Sequence, residues 1–439
     1  MNILVVGSGG REHALCWALG RGAGESARRI LCAPGNAGIA THALCVSVGA
    51  TDVAALAALA EDERIDLTIV GGEAPLAAGL VDEFERRGLI IAGPVREAAR
   101  LESSKAFAKE FMARHRIPTA RHRVAESVAE AREHLRGGEF GAEDAGAVVK
   151  ADGLAAGKGV VVARTRAEAE AAAVEMLEGG RVGGEAARRI VIEEALEGPE
   201  ASLLLWTDGR DYRLMPAARD HKRVGEGDAG PNTGGMGAVT APEVIDAETL
   251  ALCVREIVEP TLEGARADGL RFRGILFIGL MLTREGPRVL EYNVRFGDPE
   301  AQAILVRLQT DPAEIFDAVA RGRLNETNVS WSEESSACVV LAARGYPERP
   351  ETGARIVGLE AASSLPHVQI FHAGTAHAPG GGYQTAGGRV LGVTATGPTL
   401  DAALSHCYAA AARIEWDGMH YRRDIGRFAE GKNAVNRQS

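Results

Sequence analysis

Short apolar runs alternate with helical patterns along the first hundred residues. The run at residues 3–6 is followed by glycines at positions 7, 9 and 10, and then by apolar positions spaced as on one helix face. Two further apolar runs, at 66–70 and 89–92, are also followed directly by glycine. Alternating strands and helices favour a parallel sheet covered by helices. The pattern therefore predicts an α/β domain with a parallel sheet over about residues 1–103.

The pattern changes after residue 103. Ser103 and Ser104 can cap a helix that runs from Lys105 to about His115, because a serine hydroxyl accepts a hydrogen bond from the first turn. Strand-like runs then surround a glycine-rich loop in a smaller α/β unit over about 120–192. We expect this unit to belong to a central domain over 104–330.

The second half of the chain contains one long aperiodic stretch and a further set of strands. Residues 220–236 are polar and rich in glycine, and such loops inside a compact domain are usually functional or disordered. Apolar runs at 338–342, 368–371 and 390–394 precede a helical pattern at about 400–414. They predict an α+β domain over 331–430, followed by a tail at 431–439.

Composition and charge limit the possible partners. The chain has 439 residues and a formal net charge of −11, which argues against a nucleic-acid binder, since such proteins need basic surface. No apolar run is long enough to span a bilayer. The six cysteines are scattered without a Cys-x-x-Cys pair, which argues against a zinc or dithiol site. We expect a cytoplasmic monomer that binds neither nucleic acid nor membrane.

The first candidate site is the glycine turn Gly7-x-Gly9-x-x-Glu12. It resembles a dinucleotide fingerprint but has Glu12 in place of the third glycine, which argues against nicotinamide binding. A glycine turn before a helix can still hold a phosphate or a small anion. The alternative is a tight turn without a ligand.

The second candidate is the loop KADGLAAGKG at 150–159. Lys150 and Lys158 flank glycines between two strands, which suits a flap over a triphosphate. It is not a Walker A loop, because Gly-Lys-Ser/Thr is missing and the loop leads into a strand. The alternative is a hairpin turn with solvated lysines.

Acidic residues follow the apolar run at 190–192. Backbone at the end of such a strand can bind an adenine edge, and a carboxylate near it can bind ribose hydroxyls. The alternative is a solvated turn.

The stretch VLEYNVRFGDPE at 289–300 is the most informative. Alternation places Glu291, Asn293 and Arg295 on one face of a strand. A carboxylate and an amide oxygen suit Mg²⁺, and an arginine beside them could hold a phosphoryl group. The alternative is an edge strand with a polar outer face, with Leu290, Tyr292 and Val294 on the opposite face.

These segments, in this order, resemble the ATP-grasp ligases, and most closely the phosphoribosylamine–glycine ligase family. The similarity covers nearly the whole chain. It rests on GSGGREH at 7–13, APGNAG at 33–38, the loop at 150–159, DHKR at 220–223, GPNTGGMG at 230–237, NVRFGDPE at 293–300, FHAGT at 371–375 and GGRVL at 387–391.

The resemblance implies an ATP-grasp fold with an N-terminal Rossmann-like domain, a small lid subdomain and a C-terminal α+β module. It implies ATP-dependent joining of glycine to 5-phosphoribosylamine through glycyl phosphate, in de novo purine biosynthesis. The implied cofactors are ATP and Mg²⁺, with Mn²⁺ possible.

The resemblance also assigns residues. Those implied to hold nucleotide are Lys105, Lys150, Glu193, Glu194, Ala195, Leu196, Glu200, Arg223 and Asn232. Those implied to bind the other substrates are Gly9, Gly10, Glu73, Asp220 and Lys222. The implied metal ligands are Glu291 and Asn293, and the implied catalytic residues are Arg295, Lys158 and Asp298.

Two other functions remain open from the sequence. Another ATP-grasp ligase, such as a carboxylase or a formate-using transformylase, would use the same nucleotide residues. A non-catalytic nucleotide sensor would be expected to have lost the metal ligands or the lid lysines, and neither is lost. Three positions, Gly72, Pro199 and Arg219, depart from the family pattern.

Overall fold

The computed structural model describes residues 1–21, 28–141, 145–155, 159–180 and 188–427. Within these ranges no helix is both long and apolar enough to cross a membrane. All six cysteines are free thiols, and five of them are buried.

The N-terminal part is built on a five-stranded parallel sheet in the order β3-β2-β1-β4-β5, as the alternating pattern predicted. Its strands are β1 Asn2–Gly7, β2 Arg29–Pro34, β3 Leu44–Cys45, β4 Leu67–Val70 and β5 Ile91–Ala92. Its helices are α1 Gly10–Arg21, α2 Val53–Asp62, α3 Glu73–Ala77, α4 Leu80–Arg86 and α5 Arg100–Ser103. β1 and α1 are joined by the glycine turn, so α1 begins at the carboxyl end of the sheet.

Glu12 explains why the turn after β1 needs glycine. Gly7 has a φ of +138°, and a Cβ there would lie 2.6 Å from the Glu12 side chain. The Glu12 carboxylate accepts the Gly9 N–H at 2.5 Å. This carboxylate therefore occupies the Gly9 donor that an anion would otherwise use.

A four-stranded antiparallel sheet in the order β6-β9-β7-β8 forms the predicted lid unit. It is preceded by α6 Lys105–Arg114, which the Ser104 hydroxyl caps by accepting the Phe107 N–H. The elements of the lid are β6 His122–Ala125, α7 Val128–Arg136, β7 Ala147–Ala151, β8 Val160–Ala163, α8 Arg166–Leu177 and β9 Ile190–Glu194. The lid has its own small core, composed mainly of alanines.

The central and C-terminal parts share one nine-stranded antiparallel sheet. Its order is β17-β16-β10-β12-β15-β18-β23-β20, with β11 added beside β10. The central strands are β10 Glu200–Thr207, β11 Tyr212–Leu214, β12 Ala218–Asp220, β15 Gly237–Thr240, β16 Gly274–Thr283 and β17 Gly286–Asn293. The C-terminal strands are β18 Ser335–Ala342, β20 Val368–His372 and β23 Arg389–Gly397. The pairing of β15 with β18 makes the sheet continuous between the two parts.

The remaining elements pack around this sheet. A hairpin of β13 Arg223–Gly225 and β14 Ala229–Asn232 projects from it, and β19 Arg355–Ile356, β22 Tyr383–Thr385 and β21 Thr375–His377 form a small sheet. The helices are α9 Ala247–Cys253, α10 Glu259–Ala267, α11 Glu300–Leu305, α12 Pro312–Arg321, α13 Leu359–Ser363 and α14 Leu400–Ala411. A π-helical turn at Val254–Val258 joins α9 to α10.

Candidate active site

A cleft lies where α6 and β17 face the lid sheet. Four basic and four acidic side chains line it, together with apolar residues from α5, α6 and the lid loop. The lining residues are Glu73, Leu101, Glu102, Lys105, Ala108, Lys109, Met112, Lys150, Gly153, Leu154, Ala155, Glu193, Leu290, Glu291, Tyr292, Asn293 and Arg295. Seven of the residues that the sequence singled out are therefore brought together: Glu73, Lys105, Lys150, Glu193, Glu291, Asn293 and Arg295.

Lys105 connects α6 to the lid. Lys105 is the first residue of α6, directly after the cap residue Ser104. The cap that begins the helix therefore also fixes the backbone position of Lys105. Its Nζ donates to the Gly153 carbonyl at 3.1 Å. Burial lowers the pKa of Lys105. Lys105 thus bonds the glycine-rich loop and faces the cleft.

A buried triad of Lys109, Glu193 and Lys150 lies beside it. The Glu193 carboxylate is 2.9 Å from Lys109 Nζ and 2.8 Å from Lys150 Nζ. Burial acts to raise the pKa of Glu193, but the two ammonium groups lower it overall. Burial lowers the pKa of Lys109 to about 8. With two cations for one carboxylate, the triad carries net positive charge toward the cleft.

Sequence reasoning missed Lys109. Its spacing of four residues from Lys105 on a predicted helix would have placed both lysines on one face. Lys109 Nζ also donates to Thr119 Oγ1 at 2.7 Å.

A β-bulge shapes the strand that carries the proposed metal ligands. The register between β16 and β17 shifts between Gly279 and Leu280, which pair with Glu291 and Val289. Leu290 is therefore the extra residue, and its carbonyl accepts Lys150 Nζ at 3.0 Å. The alternative of a polar edge strand placed Leu290 on the opposite face with Tyr292 and Val294. Tyr292 and Val294 are buried, but the bulge lets Leu290 line the cleft, and Val289 takes its buried position.

Glu291 is surrounded by cations. Burial raises its pKa, but Lys222, Lys150, Lys105 and Arg295 outweigh burial and lower it to about 2. Lys222 Nζ lies 3.7 Å from Glu291 Oε1 and 3.2 Å from Glu200 Oε2. Glu200 and Lys222 therefore adjoin the cleft through Glu291, although neither lines it.

Arg295 is held in a fixed orientation by two carboxylates. Its Nε lies 3.2 Å from Glu73 Oε2 and its Nη2 lies 2.7 Å from Glu102 Oε1. The same Nη2 is 3.4 Å from Asn293 Oδ1. Burial raises the pKa of Glu102, which also accepts the Val294 N–H at 2.8 Å. Sequence reasoning missed Glu102, because nothing in a short helix after residue 99 marks it as a partner of a distant arginine.

A second polar cluster surrounds the glycine turn. Asp298 accepts from Gln302 Nε2 at 2.8 Å and lies 3.4 Å from Arg389 Nη1. The Arg11 N–H points to the same carboxylate at 3.4 Å. A Cβ on Gly9 would lie 3.3 Å from Asp298 Oδ2, and one on Gly10 would lie 2.5 Å from Gln302 Nε2. Gly9, Gly10 and Asp298 are thus close together, outside the lysine-lined cleft.

Asp220 lies at the end of β12, where it is enclosed. Burial and the nearby Glu300 raise the pKa of Asp220 well above its ordinary value. A Cβ on Gly235 would lie 2.7 Å from Asp220 Oδ1. The glycine at 235 is therefore required for the chain to pass this carboxylate.

The remaining predicted residues do not line the cleft. Glu194 is paired with Arg121, whose Nε lies 2.7 Å away. Ala195 and Leu196 lie in the connection between β9 and β10. Arg223 and Asn232 face each other across the β13–β14 hairpin. Lys158 lies outside the described residues.

Comparison with known proteins identifies the family. Three models of phosphoribosylglycinamide synthetase match successive parts of the chain: the N domain at residues 1–102, the ATP-grasp (A) domain at 103–301 and the C domain at 336–428. A phosphoribosylamine–glycine ligase from Xanthomonas axonopodis pv. citri is 48% identical over 429 residues, 97% of each chain. One from Brucella melitensis biotype 1 is 45% identical over 437 residues and 100% of both chains.

Solved structures agree with these sequence matches. The crystal structure of a phosphoribosylamine–glycine ligase from Thermotoga maritima is similar with a TM-score of 0.83 and 34% identity, covering 97% of this chain and 100% of that one. A biotin carboxylase from Campylobacter jejuni, at 15% identity and a TM-score of 0.70 over 97% of this chain and 93% of that one, shares the fold alone. The chain belongs to the phosphoribosylamine–glycine ligase (phosphoribosylglycinamide synthetase) family of ATP-grasp enzymes, carbon–nitrogen ligases of purine biosynthesis.

Proposed function

We propose that the chain joins glycine to 5-phosphoribosylamine at the expense of ATP, through glycyl phosphate. The products are glycinamide ribonucleotide, ADP and phosphate. One observation carries the proposal: Lys105, Lys150, Glu291, Asn293 and Arg295, from three separate segments of the chain, line a single cleft. The names of the relatives from Xanthomonas axonopodis and Brucella melitensis support the choice of substrates.

ATP would lie in the cleft between the lid and β17. Lys105 and Lys150 would hold its phosphates as point charges, and the buried Lys109–Glu193 pair fixes Lys150 beside them. The strand end from Glu193 to Leu196 would border adenine, with Glu200 at the ribose. Arg223 and Asn232 would reach the nucleotide from the β13–β14 hairpin.

The side chains on β17 fit Mg²⁺. Glu291, with its pKa of about 2, is ionised at neutral pH, and Asn293 adds an amide oxygen. These are the hard oxygen donors that Mg²⁺ prefers, and Mn²⁺ accepts the same donors. No group of three His, Cys, Asp or Glu side chains suited to a metal occurs in the described ranges. Two protein ligands suit an ion whose other ligands are phosphate oxygens and water, and its role when bound is to neutralise phosphate charge.

The reaction needs positioning and charge neutralisation more than acid–base groups. A glycine carboxylate oxygen attacks the γ-phosphorus and ADP leaves. The amine nitrogen of phosphoribosylamine then attacks the glycyl carbonyl, phosphate leaves with that oxygen, and the nitrogen loses a proton. Arg295 is oriented by Glu73, Glu102 and the Phe296 carbonyl, which accepts from Nη1 at 3.0 Å. It would stabilise the acyl phosphate with the Nη1 hydrogen that these partners leave available.

The cluster around the glycine turn is our candidate for the phosphoribosylamine side. Gly9, Gly10 and Asp298 would line it, with Asp220 and Lys222 between it and the nucleotide. Glu73, the first residue of α3, lies between the two regions: its carboxylate is 3.2 Å from Arg295 Nε, and the positive charges of Arg295 and Arg11 together lower its pKa despite burial. We also propose Lys158, which lies outside the described residues, as a catalytic residue.

The deciding assay is phosphate release from ATP with glycine, phosphoribosylamine, both or neither. We expect release only with both. Glycine labelled with heavy oxygen in its carboxylate should transfer label to the phosphate, because one carboxylate oxygen leaves with it. Release supported by bicarbonate or formate in place of glycine would contradict the proposal, and unlabelled phosphate would rule out glycyl phosphate.

A further inference from the structure

The C-terminal segment, residues 420–427, lies against the β13–β14 hairpin, far from it in sequence. His420 Nε2 is 2.9 Å from the Val224 carbonyl oxygen, and the Gly426 N–H donates to His221 Nε2 at 2.9 Å. The Arg423 N–H donates to Glu226 at 3.2 Å. The segment thus contacts the hairpin from its base to its tip.

Arg422 is the centre of this contact. Its side chain is only 1% exposed, and all three guanidinium nitrogens donate hydrogen bonds. Nη1 donates to the Arg223 carbonyl at 3.0 Å and to Asp228 at 2.8 Å. Nε and Nη2 donate to the two oxygens of Asp424 at 2.8 and 2.7 Å. A buried, bidentate arginine pair of this kind fixes geometry as well as adding energy.

Asp424 extends the same contact to the turn of the hairpin. Its Oδ2 accepts the Gly227 N–H at 2.8 Å. Gly227 and Asp228 both have positive φ, at 66° and 55°, so the turn has a backbone conformation that is unfavourable for the aspartate. The residues of the turn, 226–231, are exposed to solvent. Arg422 and Asp424 therefore supply fixed partners to a turn that has little burial of its own.

The hairpin begins one residue after Lys222, whose ammonium group lies near both Glu200 and Glu291. The Lys222 carbonyl accepts from the N–H and the hydroxyl of Thr233, at 2.7 and 2.8 Å. A displacement of the hairpin would consequently move Lys222 relative to both carboxylates.

We propose that Arg422 is a positioning residue of the nucleotide site, through which the C-terminal segment holds the hairpin and Lys222 in place for ATP. The inference rests on the proposed function for the identity of the nucleotide. Arg422 does not touch the cleft, so it acts only through the hairpin.

The test compares full-length R422A and R422K with R423A, since Arg423 is exposed and adjacent. Without Arg422 the hairpin would be ordered in only a fraction of the molecules. The apparent affinity for nucleotide would then be the intrinsic affinity multiplied by that fraction. We expect R422A to raise the KM for MgATP about tenfold with kcat changed less than about twofold, since the ordering is restored once nucleotide is bound. R422K should be intermediate, because an ammonium group cannot bond both Asp424 oxygens and Asp228 in the same geometry. R423A should match the wild type.

Trypsin cleavage after Arg223 gives a readout independent of turnover. We expect faster cleavage in R422A than in R423A, and restored protection when a non-hydrolysable MgATP analogue is added. If R422A does not fold, D424N decides instead, because it keeps the side-chain size and removes one acceptor for the guanidinium.

Two results would overturn the inference. One is a folded R422A or D424N with wild-type KM and wild-type trypsin sensitivity. The other is a lower thermal midpoint with reduced kcat and unchanged KM, which indicates a purely structural role. If the wild type releases no phosphate with glycine and phosphoribosylamine, the proposed function fails, while the trypsin assay with the MgATP analogue still decides the role of Arg422.

Discussion

At the scale of single residues, Glu291 is the position where a change of one atom should matter most. Glu291→Gln keeps the shape but removes the charge that three lysines and Arg295 surround. A neutral amide cannot offset cationic neighbours or hold a divalent cation as a carboxylate does. We expect turnover to fall by roughly 100-fold, as on loss of one preorganised electrostatic group, while the protein stays folded with a lower thermal midpoint, because the charge that offsets four cations is lost. Near-normal turnover at ordinary Mg²⁺ concentration would contradict the proposal that Glu291 is a metal ligand.

Arg295 offers a different test, because its geometry matters more than its charge. Arg295→Lys keeps the cation but cannot bond Glu73, Glu102 and a phosphoryl oxygen together. We expect kcat to fall by more than the affinity for ATP, measured by displacement of a fluorescent nucleotide. The variant could be fully active while the heavy-oxygen label still reaches phosphate. That result would support the acyl phosphate intermediate and contradict only the role proposed for Arg295.

The sequence identifies side chains on one strand better than their partners. Alternation was enough to group Glu291, Asn293 and Arg295. Lys109 and Glu102 were missed because their importance depends on contacts with residues more than 80 positions away. The Leu290 bulge could not be predicted, because it depends on the register with β16.

At the scale of elements, α1 and β20 are joined by histidines that should respond to acid. The His372 N–H donates to His13 Nδ1 at 2.7 Å, and the His13 ring lies 5.3 and 5.6 Å from the rings of His42 and His372. Burial lowers the pKa of His13 well below its usual 6.5 and that of His372 to about 4. Protonation of His13 Nδ1 would also abolish its hydrogen bond.

The sign of the pH effect follows from these shifts. Between pH 6.5 and 4 these two histidines bind more protons in the unfolded chain than in the folded one, so their contribution to stability falls as the pH is lowered through this window. His372 alone accounts for up to about 3 kcal/mol of unfolding free energy. We expect denaturant unfolding at pH 7 and 4.5 to show a smaller acid loss in His372→Gln than in the wild type. His134→Gln, on α7 away from this junction, serves as the control and should behave as the wild type; an equal acid loss in all three proteins would exclude His372 as the cause.

Periodicity predicted the elements more accurately than their assembly. The helix that begins at Lys105 and the strand at 368–371 were predicted nearly to the residue. Glycine turns and serine caps are local, so the sequence reports them directly. The pairing of β15 with β18 joins residues about 100 positions apart, and no local pattern encodes it.

At the scale of the whole molecule, the lid should unfold locally without unfolding of the rest of the protein. Its core is separate and consists largely of alanines around Met176, which is fully buried. Met176→Ala should destabilise the lid by about 2–5 kcal/mol, seen as faster hydrogen exchange in β7 and unchanged exchange in β18. Met215→Ala, the same substitution in the core beneath β10, should leave lid exchange unchanged. Equal acceleration in β7 and β18 by Met176→Ala would mean that lid and body unfold together.

The continuous nine-stranded sheet has a consequence for how the chain is made. β15 ends at Thr240, but its neighbour β18 begins only at Ser335. During synthesis on the ribosome, β15 therefore remains an unpaired edge until nearly a hundred further residues have been added. Exposed edges of this kind readily pair with other nascent chains. Nascent chains on one polysome should therefore be prone to aggregate through β15. Chaperone binding to the nascent chain should be greatest shortly before β18 leaves the exit tunnel.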